Sequence, residues 1–333
     1  MESRIMESSF CSSVSSGSIN RYRFSSGAKP FSICFPQKTR TMSLKASEND
    51  EGFTYKDSGV DIDAGTELTR RIRKMVPGIG GFSGGYEIVF GMDGVGTKLK
   101  LAFETGKHDT VGIDLIAMCV NDVITCGATP IGFVDYYLRN HAVTVITGIF
   151  YGCQQSSYDP MDPCNLLGGE LEMGDFYAKG HYELVGCAVG KVKKDSIIDG
   201  KNIVAGDVLI GLHSFQWLLL SKKVLGMVEK GGVKGLAHIT GGGMTDNIPR
   251  ILPHGLGVVI HTNAWELPPL FTFIQKHGNV EDGEMRRTFN MGIGMVMVVS
   301  PDAALRILGD AENGDYVAYR IGEVVTGEGV TYH

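Results

Sequence analysis

The chain has 333 residues, of which 43% are hydrophobic and 20% are charged, and its formal net charge is −6. The length predicts about two domains, and the lack of a basic surplus argues against a general nucleic-acid binder. No run reaches the roughly 18 apolar residues of a membrane span. The seven cysteines form no CxxC pair and lie mostly in apolar runs, so we expect reduced thiols rather than a zinc site.

The first 49 residues differ in composition from the rest of the chain. Serine is frequent, several Arg and Lys are present, and no acid occurs between Glu7 and Glu48. This composition predicts a disordered organellar transit peptide over residues 1–50, with a plain disordered tail as the alternative. The serine content favours the plastid (chloroplast stroma), and the mitochondrion is the second destination considered.

Helical and extended patterns alternate in the residues that follow. A helix is predicted from Asp63 to Pro77-Gly78, then a glycine-rich loop over 78–85 and a short strand near 86–91. Residues 110–126 have the apolar spacing of a helix. The remaining elements expected in this half are a strand over 130–137, a helix over 142–156 and strands over 166–170 and 182–192.

A polar stretch over 194–207 predicts a domain boundary, which gives a first domain over 51–194 and a second over 195–333. The alternation predicts an α/β (α+β layered) fold. The elements expected in the second domain are the strand VLIGL, a helix ending near Val228, strands over 257–262, 292–300 and 320–325, and helices over 268–277 and 302–308.

The turn Gly94-Val95-Gly96-Thr97-Lys98 directly follows Asp93. It is not a Walker loop, and the loop over 78–85 is not a GxGxxG motif because position 83 is Ser. Backbone amides in such a turn can face phosphate oxygens, and Lys98 adds a cation. Asp93 would repel a phosphate unless a magnesium ion lay between them.

Further acids lie in apolar or glycine-rich sequence, namely Asp114, Asp122 and Glu170. A buried carboxylate is costly unless it is paired or bound to a metal. Each acid alone fits a helix cap or an ion pair equally well. Together with Asp93 they make four acids among glycine-rich turns, which favours a metal and nucleotide site.

Five segments, in this order, resemble the phosphoribosylformylglycinamidine cyclo-ligase family of plant plastids. They are YKDSGVDIDAG from Tyr55, DGVGTKLKLAFETG onward from Asp93, LLGGE at 166–170, AHITGGGMTDNIPR from Ala237 and EMRRTFNMGIGM from Glu284. The family belongs to a superfamily with selenophosphate synthetase, thiamine-monophosphate kinase and formylglycinamidine-ribonucleotide synthetase. These enzymes use ATP with magnesium.

The resemblance implies a fold of two α/β domains, the first of which forms a barrel across a homodimer. It also implies the cofactors ATP and Mg2+, the substrate formylglycinamidine ribonucleotide, and no nucleic-acid or membrane partner. In the implied reaction ATP phosphorylates the formyl oxygen of the substrate. The amidine nitrogen then attacks, phosphate leaves, and aminoimidazole ribonucleotide forms.

The resemblance also carries roles to individual residues. Catalytic roles fall on Asp93, Lys98 and Asp122, and metal binding falls on Asp93, Asp114, Asp122 and Glu170. Binding of the nucleotide or substrate falls on Arg73, Gly80, Gly81, Gly84, Asp114, Asn121, His213, His238, Gly241 and Gly242. For His238 the alternative is a buried histidine at the end of a strand.

The chain departs from the family pattern at several places, one of which is an apparent insertion before Leu166. Met92 replaces a threonine, the segment 168–174 lacks a threonine and a proline, and a family segment between Ser214 and Gly231 is absent. We expect the missing segment to leave apolar surface uncovered in the second domain. Three hypotheses follow: an active cyclo-ligase, an impaired paralogue or isoform that binds nucleotide or pairs with an intact subunit, and another ATP-dependent member such as a small-molecule kinase.

Overall fold

The computed structural model describes residues 52–75, 88–138, 149, 164–172, 178, 181–214, 217–314 and 316–333. The predicted transit peptide, the glycine-rich loop over 78–85 and all but one residue of the predicted helix over 142–156 lie outside these ranges. The chain divides into two units, Met1–Asp50 and Glu51–His333, and the fold described below is that of the second unit.

The first half of this unit is built on a four-stranded sheet. Its strands are β1 (Ile88–Gly94), β2 (Thr129–Leu138), β3 (Asn165–Glu172) and β4 (Glu183–Lys191), in the spatial order β1-β4-β2-β3. Strand β4 is antiparallel to β1 and β2, and β2 is parallel to β3. The helices described in this half are α1 (Ile62–Met75), α2 (Lys98–Thr105) and α3 (Val111–Ile124).

Helix α3 packs directly on one face of this sheet. The helix is mostly apolar, and ten of its residues are buried. Glycine in the strands below permits the close approach, because a Cβ at Gly91 would overlap the carbonyl oxygen of Cys119. The opposite face is open: among its apolar side chains Phe90 is 54% exposed and Met92 is 69% exposed.

The second half is built on a six-stranded sheet. Its strands are β5 (Val208–His213), β6 (Val233–His238), β7 (Leu256–Ile260), β8 (Ile293–Val299), β9 (Ala318–Thr326) and β10 (Gly329–Tyr332), in the order β10-β7-β9-β5-β8-β6. The helices described around it are α4 (Trp217–Glu229), α5 (Gly243–Asn247), α6 (Pro269–Gly278), α7 (Asp282–Thr288) and α8 (Pro301–Glu312).

Both faces of the six-stranded sheet are covered. Alternate residues of β5 enter two different cores: Ile210 packs with α3, α4 and α8, whereas Leu209 packs with residues of α5 and the turn after it. Every residue of β8 is buried. The sequence predicted that the missing segment would leave apolar surface of this half uncovered. The structure differs, because α4 buries Val224 and Leu225 in the core that it shares with α3.

The opening segment lies against the second half. The backbone N–H of Tyr55 donates to Glu284 Oε1 at 2.7 Å, and Arg287 forms an ion pair with Asp63 at the start of α1. The segment was predicted as part of the first domain, and the boundary near residue 194 stays a prediction.

The α/β fold class predicted from the sequence is confirmed, whereas the barrel across a dimer stays a prediction. The long apolar elements were found within two residues, for example β2 against the predicted 130–137 and β8 against 292–300. The short elements α2, α7 and β10 were not predicted. Among the described residues no disulfide joins the cysteines, and none of the helices combines the length and apolarity needed to cross a bilayer.

Candidate active site

Asp93 lies at an edge where three strands end. Strands β1, β2 and β3 run in one direction, so their carboxyl ends meet at the same edge of the sheet. Asp93 Oδ1 accepts a hydrogen bond from the backbone N–H of Gly94 at 2.7 Å. Burial raises the pKa of Asp93, and the negative charge of nearby Asp122 raises it further. A cation beside this pair of carboxylates would relieve their repulsion.

Asp122 receives its main side-chain contact from the other half of the molecule. His238, the last residue of β6, places Nδ1 2.9 Å from Asp122 Oδ1 and Nε2 3.4 Å from Asn121 Nδ2. The His238 side chain is only 4% exposed. His238 is therefore a buried histidine at the end of a strand, as in the alternative interpretation, and its role in ligand binding stays a prediction.

A cleft of about 520 Å³ lies between the two halves at this point. The first half contributes Asp93 and Asp122 to its lining, and the second half contributes His238, Thr240 and Arg250. The volume is in the range of small-molecule sites. Arg250 is the only Lys or Arg among the described residues that line the cleft. With Asp199, which also lines it, the cleft therefore offers three carboxylates and one strong cation.

Lys98 and Asp114 pair with each other instead of lining this cleft. Lys98 Nζ lies 2.8 Å from Asp114 Oδ1, and both side chains are partly exposed. Lys98 is still close enough to Asp93 to act against the rise in its pKa. It therefore lies beside the carboxylate pair, in the first turn of α2.

Glu170 is separated from the other acids. It lies in β3 opposite Tyr136, and β4 and β2 stand between β3 and β1. Three strand spacings of about 4.8 Å place β3 about 14 Å from β1. Within this chain the strand order therefore keeps Glu170 apart from Asp93, and the metal-binding role of Asp93, Asp114, Asp122 and Glu170 stays a prediction. No group of three or more His, Cys, Asp or Glu in the described part of the chain is arranged to hold a metal ion.

The glycine turn after β6 is held by Asn247, the last residue of the helix α5 that follows it. Asn247 Nδ2 donates to the carbonyl oxygen of Gly243 at 2.7 Å and lies within 3.5 Å of that of Thr240. Gly242 has a φ of 100°, which favours glycine. Gly241 and Gly242 follow the cleft residue Thr240 directly, and their role in ligand binding stays a prediction.

Other predicted residues are not assembled with this group. His213 ends β5 with its ring centroid 6.4 Å from that of Tyr319, and it is not among the described residues that line the cleft. Arg73 lies in α1, and its side chain is not among the parts of the chain that the structure describes. The glycines Gly80, Gly81 and Gly84 also fall outside the described residues.

Two residues of interest were missed from the sequence. Arg250 lies in the quoted segment AHITGGGMTDNIPR, but only the fold places it on the cleft. Asp135 is opposite Gly186, which is itself opposite Asp93, so the two acids share one row across β2, β4 and β1. Burial raises the pKa of Asp135. An acid near the end of the strand predicted over 130–137 was a usable signal, whereas the order of the strands in the sheet could not be predicted from the sequence.

The donor set fits a magnesium ion that is shared with a phosphate ligand. Magnesium is usually bound through one or two carboxylates together with substrate phosphates and waters, rather than in an all-protein cage. Asp93 and Asp122 supply two such carboxylates in one cleft.

Comparison with known proteins gives matches over both halves. The family model "AIR synthase related protein, N-terminal domain" matches residues 77–192, and the corresponding C-terminal domain model matches residues 216–333. The chain is 56% identical to the chloroplastic phosphoribosylformylglycinamidine cyclo-ligase of Arabidopsis thaliana, with 100% of both chains covered. It is 51% identical to the chloroplastic/mitochondrial enzyme of Vigna unguiculata, covering 89% of this chain and 87% of the relative.

The Arabidopsis alignment spans 394 positions, more than the 333 residues of this chain, so the relative contains residues without a counterpart here. The bacterial enzyme of Nitrosospira multiformis is 42% identical, with 85% of this chain and 96% of the relative covered. None of these relatives supports the hypothesis of an impaired paralogue.

Among solved structures, T. maritima PurL complexed with AMPPCP matches with a TM-score of 0.58 and 22% identity, covering 74% of this chain and 42% of that one. E. coli HypE, a hydrogenase maturation protein, matches with a TM-score of 0.58 and 18% identity, covering 74% and 82%. At these identities the likeness concerns the fold alone.

Proposed function

Because this chain belongs to the phosphoribosylformylglycinamidine cyclo-ligase family, we propose that it catalyses the ATP-dependent closure of formylglycinamidine ribonucleotide to aminoimidazole ribonucleotide. One structural observation carries the proposal. Asp93 and Asp122 from the first half meet His238 from the second half at a cleft large enough for a small-molecule ligand.

Phosphoryl transfer depends mainly on positioning and on neutralisation of charge. Asp93 and Asp122 are the residues that would hold Mg2+, which when bound neutralises negative charge on the ATP phosphates. The amides of the turn after Asp93 and the ammonium of Lys98 add positive potential beside them. Arg250 offers a planar cation to an anionic group of a ligand in the cleft.

ATP as the nucleotide agrees with the fold, because PurL of T. maritima has been solved with AMPPCP, ADP and ATP and also with FGAR. In the proposed reaction the formyl oxygen takes up the γ-phosphoryl group. The amidine nitrogen then attacks the activated carbon, the ring closes and phosphate leaves. The roles of Asp114, Glu170, His213 and the glycine-rich loop stay predictions.

A homodimer is the assembly that we propose. The open face of the four-stranded sheet presents apolar side chains on at least three strands: Phe90 and Met92 on β1, Val134 on β2 and Leu167 on β3. Large contiguous apolar surfaces mark interaction sites. A second copy pairing through this face would give the barrel that the family resemblance implies.

We also propose that the chain is imported into plastids. The Arabidopsis relative is chloroplastic, and the Vigna relative is chloroplastic/mitochondrial. A fusion of residues 1–49 to a fluorescent protein is expected to enter plastids, with entry into mitochondria as the second outcome. A diffuse cytosolic signal would contradict import.

The reaction is tested with the purified chain. ADP release is measured with and without formylglycinamidine ribonucleotide, and aminoimidazole ribonucleotide is measured in the same samples. We expect ADP and aminoimidazole ribonucleotide in equal amounts, and only when the substrate is present. ADP release without ring closure would point to a kinase of the same superfamily, and no release would contradict the proposal.

A further inference from the structure

His238 makes contacts that leave little for a ligand. Its Nδ1 lies 2.9 Å from Asp122 Oδ1, and its Nε2 lies 3.4 Å from Asn121 Nδ2. The side chain is 4% exposed. Both ring nitrogens therefore face side chains of α3, although the histidine itself belongs to β6.

The direction of these two hydrogen bonds follows from the chemistry of the partners. The amide nitrogen of Asn121 can only donate, so Nε2 of His238 is the acceptor. The ring proton then lies on Nδ1, which donates to the Asp122 carboxylate. Asn121 lies on α3 and is 2% exposed. Its amide fixes the ring through Nε2, and Nδ1 on the other side of the ring donates to Asp122.

The contact occupies one oxygen of Asp122. Oδ1 accepts a hydrogen bond from His238, and among the described residues Oδ2 has no hydrogen-bond partner. The hydrogen bond therefore fixes the rotation of the carboxylate and leaves its second oxygen for a ligand in the cleft that Asp122 lines. Carboxylates that bind metals are commonly held in this way, and losing such a hydrogen bond typically weakens metal affinity by about 10–100-fold.

We infer that His238 is a positioning residue of the metal site, which holds Asp122 in the orientation that binds the divalent cation. The four-stranded half would then depend on the six-stranded half for its metal affinity, because β6 supplies the histidine. The inference rests on the proposed function, since it takes Asp122 to be a metal ligand.

Two substitutions separate the two ring nitrogens. In His238→Asn the amide lies near the position of Nδ1 and can still donate to Asp122. In His238→Gln the amide lies near the position of Nε2, so the contact with Asn121 is kept and the contact with Asp122 is lost. His261→Gln, at an exposed histidine just after β7, is the matched control.

The measurement is binding of Mn2+ in the presence of ADP, followed by electron paramagnetic resonance on the full chain without substrate. Thermal melting of each variant checks that it is folded. We expect His238→Gln to bind Mn2+ at least about tenfold more weakly than wild type, and His238→Asn and His261→Gln to stay within about threefold. In an Asp122→Asn background, His238→Gln should cause no further loss.

Equal Mn2+ affinity in His238→Gln and wild type would overturn the inference. Equal weakening in His238→Asn and His238→Gln would also overturn it, as would a further loss in the Asp122→Asn background. A wild-type chain that does not bind Mn2+ with ADP would overturn the proposed function itself, and the inference with it.

Discussion

The two sheets of this protein differ in how they are covered. The six-stranded sheet is closed on both faces, and all seven residues of β8 are buried. The four-stranded sheet is closed on one face by α3 and open on the other, where Phe90 and Met92 are more than half exposed. The six-stranded sheet is therefore buried within the chain itself, whereas the four-stranded sheet leaves apolar side chains exposed on one face.

The same difference holds for the chemistry. The open sheet and its helix carry the acids Asp93 and Asp122, whereas the closed sheet supplies the buried His238 that supports one of them. A rigid support on a fully packed sheet suits a residue that must hold another side chain in place. Substitutions in each sheet test this division.

The largest expected effect is on the assembly. Phe90→Asp places a charge on the open face, and it should dissociate the proposed dimer in sedimentation velocity. Burying a Phe contributes about 1.5–3 kcal/mol, and a twofold interface contains two copies, so the loss is about 3–6 kcal/mol of dimer stability. Leu305→Asp, at an exposed leucine on α8, is the control and should leave the sedimentation unchanged.

A buried ion pair tests the closed sheet. Asp207 is 2% exposed and lies 2.6 Å from Lys234 Nζ, while its second oxygen accepts from the backbone N–H of Val204. Asp207→Ala leaves a lysine uncompensated and should lower the free energy of unfolding by about 3–5 kcal/mol. In urea titrations Asp310→Ala, which breaks the exposed pair with Lys230, should cost about 1 kcal/mol at most. Similar costs for both would show that the second sheet is less closed than described.

The division of chemistry predicts a loss of activity without a loss of fold. Asp122→Asn removes the charge of a proposed metal ligand beside the phosphates, so turnover should fall at least about 100-fold. Loss of a residue that only supports a metal ligand typically costs about 10–100-fold, so the loss of the ligand itself should cost at least as much. The melting temperature should change little, because Asp122 lines a cleft. Asp109→Asn, in the exposed loop before α3, should keep wild-type turnover. Near-normal turnover in Asp122→Asn would remove this residue from the site.

The smallest effect concerns two helix starts, one in each half. Ser300 caps α8, and its side-chain oxygen accepts from the N–H of Ala303, so Ser300→Ala should cost about 1 kcal/mol of unfolding free energy. Thr110 at the start of α3 makes no such bond, and Thr110→Ala should be close to neutral in the same denaturation experiment. A larger cost at Thr110 would contradict the description of that cap.

Much of this protein could be predicted from its sequence. The apolar spacing of residues 110–126 gave helix α3, and the apolar run near 292–300 gave β8, because periodicity over many residues outweighs local ambiguity. Asp93 with the glycine turn before Lys98 was predicted as part of a phosphate and metal site, and the fold places Asp93 on the cleft. The five quoted segments led to the family, to which the comparisons also assign the chain.

The tertiary structure decided the rest. Asp122 and His238 are 116 positions apart in the chain, and Lys98 and Asp114 are 16 apart, so no local pattern could pair them. The strand order β1-β4-β2-β3 moved Glu170 away from Asp93, although both are acids near strand ends. Packing also decides which sheet has an open face. Strands β1 and β8 are both apolar, so their sequences alone do not tell that one is partly exposed and the other is buried. The reason is physical: a sequence determines which side chains are available, but the distances between them come from how remote segments pack.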